Sequence, residues 1–222
     1  MYPKGNLFIP SPSGHLEAIL KLPKVSPRGA ALCCHPLPQG GGTMHNKVVF
    51  RAAAGLNDAG LAVLRFNFRG VGASTGVWGE VREGVEDVKA ALEYLKAEFP
   101  GLSITLAGFS FGSRTGLEVG VRDERVERLI SIGTPVDKYH DYDFLPGSRK
   151  PILFIHGDND EFGTVENLKR LYEQVKLTAD AELVVFGNCG HFFDNHLNEL
   201  RETVKNWTIR QMQKDAAKIA AD

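Results

Sequence analysis

Three short stretches of this 222-residue chain carry side chains that could share one reaction. The first, "LAGFSFGSRTG", sets Ser110 between Gly108 and Gly112. A serine hydroxyl is a poor nucleophile at neutral pH. It becomes a good one when a base takes its proton and a carboxylate orients that base. The second stretch, "ILFIHGDND", offers two carboxylates, Asp158 and Asp160. The third, "VVFGNCGHFF", offers His191 in a glycine-bounded loop. Alone, the G-x-S-x-G pattern is weak, because a strand-to-helix turn whose serine caps the helix reads the same way. It gains meaning when serine, acid and histidine each follow a strand in that order.

The elements must therefore be strands in the right places. Two short β-type segments, "NLFIP" and "HLEAILKLP", flank the turn-like "SPSG" and suggest an antiparallel start. "GAALCCHP" and "LAVLRFNF" read as buried strands around a helix in "MHNKVVFRAAAGLNDAG" that stops at Gly60. "EVREGVEDVKAALEYLKAEFPG" has helical apolar spacing at Val81, Val85, Val88, Ala91, Leu92 and Leu95. "SITLAGFS", "VERLISIG", "KPILFIHG" and "AELVVFG" are further strands. Helices are expected in "GSRTGLEVGVRD", weakened by its glycines, and in "TVENLKRLYEQVK". From Leu197 a long helix carries Leu197, Leu200, Val204 and Trp207 on one face, with an alanine-rich end after Lys214 expected to fray. Such alternation predicts an α/β fold, a mostly parallel sheet with helices on both faces. No linker or repeat divides the chain, so residues 1–222 are expected to form a single domain.

Composition narrows the chemistry. The net charge of −1 recommends neither nucleic acid nor an anionic membrane as a partner. Cys33, Cys34 and Cys189 form no C-x-x-C pair, so zinc and a disulfide framework are not expected, and reduced thiols suit a cytoplasmic protein. The N-terminal segment lacks the apolar core of a signal peptide, and no run reaches membrane-spanning length. "QGGGT" lacks the Gly-Lys-Ser/Thr ending of a phosphate loop, and no H-E-x-x-H or carboxylate cluster suggests a metal. A monomer and a homodimer are equally compatible with the pattern.

With "GFSFG", "HGDND" and "GNCGH" go "HPLP" after the third strand and "RFNFRGVGAS" after the fourth. Together these resemble the α/β-hydrolase superfamily over nearly the whole chain. The match is to small bacterial hydrolases without a large cap, of the esterase or dienelactone-hydrolase kind. The resemblance implies Ser110 as nucleophile, His191 as base and Asp160, in the H-G-x-x-D position, as acid. Asp158 then serves hydrogen bonding in its turn. It also implies an oxyanion hole from the N–H groups of Phe111 and Leu37; Pro36 and Pro38 have no N–H to give. Arg69 would belong to a structural loop, and His35 would stabilise its own.

Residues 134–150 are too short for a multi-helix lid. Tyr139, Tyr142 and Phe144 there, and Trp78 after the fourth strand, could line a substrate pocket or simply cover the sheet edge. Asp194 and His196 form a fallback acid and base. The expected activity is hydrolysis of a small-molecule ester with a short acyl chain, without a cofactor. Thioesterase, lactonase, amidase or peptidase activity with the same triad is the alternative, and a non-catalytic binding protein a more distant one.

Overall fold

The alternation closes into one eight-stranded sheet. The computed structural model describes residues 7–219; the expected first strand began at Asn6, outside that range. β1 (Leu7–Ser11) and β2 (Gly14–Lys21) form the antiparallel start. Then come β3 (Ala30–Cys34), α1 (Lys47–Asp58), β4 (Ala62–Phe66), α2 (Val81–Glu98), β5 (Ile104–Phe109) and α3 (Phe111–Arg122). β6 (Val126–Ile132), β7 (Ile152–Gly157), α4 (Val165–Val175), β8 (Ala181–Phe186) and α5 (Leu197–Ile219) complete the order. The strands lie β1-β2-β4-β3-β5-β6-β7-β8, antiparallel as far as the β2–β4 pair and parallel from β4 onward. The chain therefore reverses direction across the sheet at β3 and β5. The crevice beyond the carboxyl ends of such strands is where open α/β sheets bind ligands.

Period-two burial sorts each strand's side chains between two cores. Leu32, Leu106, Leu129 and Phe154 face α2, α3 and α4, packing with Val88, Leu92, Leu117 and Leu168. Cys33, Ala107, Ile130 and Leu153 face the other way, toward α1 and α5. There Val49 and Leu56 meet Leu200, Val204 and Trp207, the apolar stripe read from the sequence. α1 starts three positions later than the pattern suggested, because the Asn46 side chain accepts the Val48 N–H (2.9 Å) and caps the helix. α5 runs past Lys214 to Ile219, and the rest of the alanine-rich end expected to fray lies outside the described residues.

The glycines of α3 are not the weakness the sequence suggested. A Cβ on Gly112 would lie 2.3 Å from the Cys34 carbonyl oxygen; on Gly116, 2.5 Å from Leu106; on Gly120, 2.4 Å from Leu129. Spaced four apart, they form one face of the helix. Their missing side chains let α3 approach β3, β5 and β6 more closely than any other residue would allow.

Polar groups fix the loop after β4. Arg69 donates from its backbone N, Nε and Nη2 to the two oxygens of Asp87 on α2, at 2.9, 2.9 and 2.7 Å. Asp87 is fully buried and Arg69 nearly so. Nearby, Asn67 donates to Glu17 (2.8 Å) and accepts from Met44 N (2.8 Å), tying the loop after β3 to β2 and β4. Removing one partner of a buried ion pair strands the other in low dielectric. Asp87→Ala is therefore expected to lower unfolding free energy by about 3–5 kcal/mol in urea titration. A loss below about 1 kcal/mol, the range of exposed pairs, would show that Arg69 finds solvation elsewhere.

Candidate active site

Ser110 sits between β5 and α3 at φ 54°, ψ −120°, in the region L-residues avoid. Its backbone N donates to the Ile132 carbonyl on β6 (2.9 Å), and its own carbonyl accepts from Ser113 N and Arg114 N at 2.8 and 3.1 Å. The turn is also held by what is missing. A Cβ on Gly108 would meet the Gly112 carbonyl oxygen at 2.1 Å. Ser110 is thus pinned on both sides at the carboxyl edge of the sheet. Phe111 opens α3, where the first N–H groups have no intrahelical acceptor.

The acid and histidine loops leave β7 and β8 side by side. Asp160 Oδ2 lies 2.7 Å from His191 Nδ1, and both residues are buried. A carboxylate there accepts, so Nδ1 carries the proton and Nε2 is the basic nitrogen. Asp160 Oδ1 accepts the Phe162 N–H (2.9 Å). Buried His156 donates from Nε2 to the Gly163 carbonyl (2.5 Å), bracing the turn that carries Asp160. Asp158 faces the neighbouring loop instead. Its oxygens accept from Cys189 N and Asn188 N, both at 3.0 Å, and these bonds hold its carboxyl below the ordinary range. Asp194 pairs with Lys47, and His196 stacks on Phe186 and bonds Glu199, so neither joins the cavity that holds Ser110 and His191.

The "HPLP" segment wraps the other side. Phe68 N donates to His35 Nε2 (3.0 Å), which forces the ring proton onto Nδ1, and Nδ1 donates to the Pro36 carbonyl (2.7 Å). Burial pushes His35 down to about 3. Gly42 lies so close that a Cβ would meet the Pro36 oxygen at 2.1 Å. Leu37, thus fixed, faces the same cavity as Phe111.

That cavity, of about 280 Å³, is lined by Ser110, His191, Leu37 and Phe111 together. Of the four aromatic pocket candidates only Tyr139 lines it. Trp78 is a correction: it packs edge-on behind Phe111, with centroids 4.9 Å apart, and supports that residue from the core side. Tyr142 and Phe144 are also placed elsewhere. Arg114 of α3, bonded to Asp141 and Glu118, lies over both rings and draws them against α3; Tyr142 lines a separate cavity. The walls that sequence reasoning missed are Phe162, Phe192 and Lys138. Phe162 and Phe192 stand beside His191, with centroids 4.6 and 5.3 Å away. Their closeness in sequence to Asp160 and His191 was the available signal. The connection between β6 and β7 holds turns and no helix, so it builds no helical lid. Burial pushes the thiols of Cys33, Cys34 and Cys189 up, the last to about 11, so none is a ready nucleophile. Among the described residues no helix is long and apolar enough to cross a membrane, and no group of His, Cys, Asp and Glu could hold a metal.

Comparison with known proteins agrees with this fold. The family described as "Serine aminopeptidase, S33" matches residues 26–150, more than half the chain. An uncharacterized protein of Rickettsia prowazekii is 31% identical over 91% of this chain and 88% of its own. Among solved structures, an alpha-beta serine hydrolase homologue from Coxiella burnetii is similar at 37% identity and TM-score 0.82, over 93% of this chain and 99% of that one. A serine hydrolase without lid from Xanthomonas campestris is similar at 32% identity and TM-score 0.83, over 95% and 96% of the two chains.

His35 has a consequence for stability. The unfolded ring titrates near 6.5, the folded one near 3, so between those values the unfolded state binds the extra proton. Unfolding free energy is then highest above about pH 6.5 and falls toward pH 3, by up to about 1.4 kcal/mol per unit from this group. Urea midpoints at pH 7 and 5 should differ less in His35→Gln than in the wild type. Equal losses in both would mean that His35 is not held neutral.

Proposed function

We propose that this chain, which belongs to the Serine aminopeptidase, S33 family and is a serine hydrolase of the α/β-hydrolase superfamily, cleaves carboxylic esters through Ser110, His191 and Asp160. The observation that carries the reading is the 2.7 Å His191–Asp160 contact bordering the same cavity as a serine held at φ 54°. Ser110 Oγ attacks the acyl carbon while His191 Nε2 takes its proton. The imidazolium is held by Asp160 and returns the proton to the leaving oxygen. Oxygen charge on the tetrahedral intermediate is met by the N–H groups of Leu37 and Phe111. Water, deprotonated by His191, then cleaves the acyl-enzyme, and no cofactor enters the scheme.

The ester reading is favoured over the aminopeptidase reading by charge. Among the described residues no Asp or Glu lines the cavity, and Lys138 does, so a substrate ammonium finds no counter-charge in that lining. The aromatic wall of Tyr139, Phe162 and Phe192 suits a short acyl or alcohol group. Free, buried Cys33, Cys34 and Cys189 support a reducing, cytoplasmic setting.

A fluorophosphonate probe should label the wild type and leave Ser110→Ala unlabelled; a folded wild type that stays unlabelled overturns the serine mechanism. Across para-nitrophenyl esters of rising chain length and aminoacyl-anilides, the short esters should be cleaved fastest, and faster anilide cleavage would select the peptidase. The acid is read by two further variants. Asp160→Asn should lower kcat by roughly 10³–10⁴-fold. Asp158→Asn should cost less than about ten-fold, since it loosens a loop rather than reversing the tautomer. The opposite order would make Asp158 the acid.

A further inference from the structure

Beside the cavity of Ser110 lies an open groove of about 610 Å³, and the two share Gly41 and Asn46 as a common wall. Its lining is cationic. Lys47, Arg51 and Arg65 contribute to it, with the exposed ring of Phe50, and among the described residues no Asp or Glu does. Lys47 is partly neutralised by Asp194 at the rim. Arg65 is the unusual member. It rises from the middle of the sheet with only 8% of its surface exposed. Its guanidinium donates to the Met44 carbonyl (2.7 Å) and lies 5.3 Å from the centre of the Phe50 ring.

A guanidinium has five N–H donors in a flat fork. Burying one is costly unless an anion faces it, and burial does push Arg65 below its ordinary range. The groove walls supply no carboxylate to repay that cost. α1 adds to the positive potential, since its first turn, Lys47 onward, and its cap Asn46 both border the groove. A fixed fork, a half-buried second arginine and a helix N-terminus thus converge beside the candidate nucleophile.

We propose that this groove binds an oxyanion, a carboxylate or a phosphate, carried by the substrate on the far side of its scissile ester. The inference rests on the ester-hydrolase reading and narrows it to charged esters. Arg65 holds the anion against the floor of the groove and Arg51 closes over it from α1. The acyl carbon then lies across the shared wall, at Ser110.

The test uses two matched pairs. Mono-para-nitrophenyl glutarate against para-nitrophenyl pentanoate places the charge on the acyl half. Para-acetoxyphenyl phosphate against para-methoxyphenyl acetate places a phosphate on the leaving half. In at least one pair the wild type should favour the anion by about ten-fold in kcat/KM, the scale of a charge-assisted contact. Whichever pair responds identifies the anion and its half of the substrate. The preference should fall toward one in Arg51→Gln and in Arg65→Gln, and persist in Lys89→Gln, a control of equal charge change on α2. Arg51 lies at the groove's rim on a helix surface, so its variant carries the test where loss of Arg65 impairs folding. Ratios near one in both wild-type pairs, or a ratio untouched by Arg51→Gln, overturn the proposal. Calorimetric binding of the same four compounds to Ser110→Ala separates this from the hydrolase reading. Tighter binding of an anionic member without turnover by the wild type sinks the hydrolase alone. Equal binding within both pairs sinks the anion groove.

Discussion

The turn between β5 and α3 tolerates no side chain at either flanking glycine, and much of the molecule is arranged around it. Gly108 and Gly112 leave no room for a Cβ, at 2.1 and 2.3 Å from backbone oxygens. Between them the chain accepts a left-handed residue, and its cost is of order 1–3 kcal/mol. That cost is tolerable because the turn is over-determined. Ser110 N is committed to β6, its carbonyl to α3, and the glycine face of α3 to the strands beneath. The same close approach brings α3 down onto the end of β3. This is why the first amide of the helix and the loop at Leu37 border one cavity.

Around that turn the loops are held by polar groups rather than by apolar packing alone. His35, Asn67, Arg69 and Asp87 are all buried, and their hydrogen bonds tie the loops after β3 and β4 to each other, to β2 and to α2. Asp158 does the same between the ends of β7 and β8, although it is solvent-facing. Several of these bonds, such as His35 with Phe68 N, Asn67 with Met44 N and Asp158 with Cys189 N, join segments distant in sequence, so the site geometry depends on pairings that the sheet must make first.

The succession of strands and helices was legible because it follows from periodicity, and the pairing of Asp160 with His191 because the resemblance implied it. β5 and β7 end where their apolar runs end, and whatever follows is delivered to one edge. The lining of the cavity was less legible. Trp78 and Phe144 have the side chains of pocket walls, but Phe111 and Arg114 capture them, and a capture across the fold leaves no periodic trace. Phe162 was overlooked because it sits in a loop whose interest lay in its aspartates. The α3 glycines were misread for the opposite reason. Helix propensity counts them as a loss, whereas tertiary contact makes them necessary. Arg65 was read only as part of a strand, since burial of a charge cannot be seen in an alternating pattern.

The placement of β8 at the sheet's outer margin bears on how the molecule is made. Chains emerge from the ribosome N-terminus first and fold as segments become available. The pairing of β3 with β5 that shapes the serine turn draws on the first half of the sequence, yet His191 lies beyond the last strand. A nascent chain can therefore pair β3 with β5, and with β6 close the serine turn, before His191, the proposed base, is synthesised. On the proposed mechanism such a serine would have no partner to take its proton.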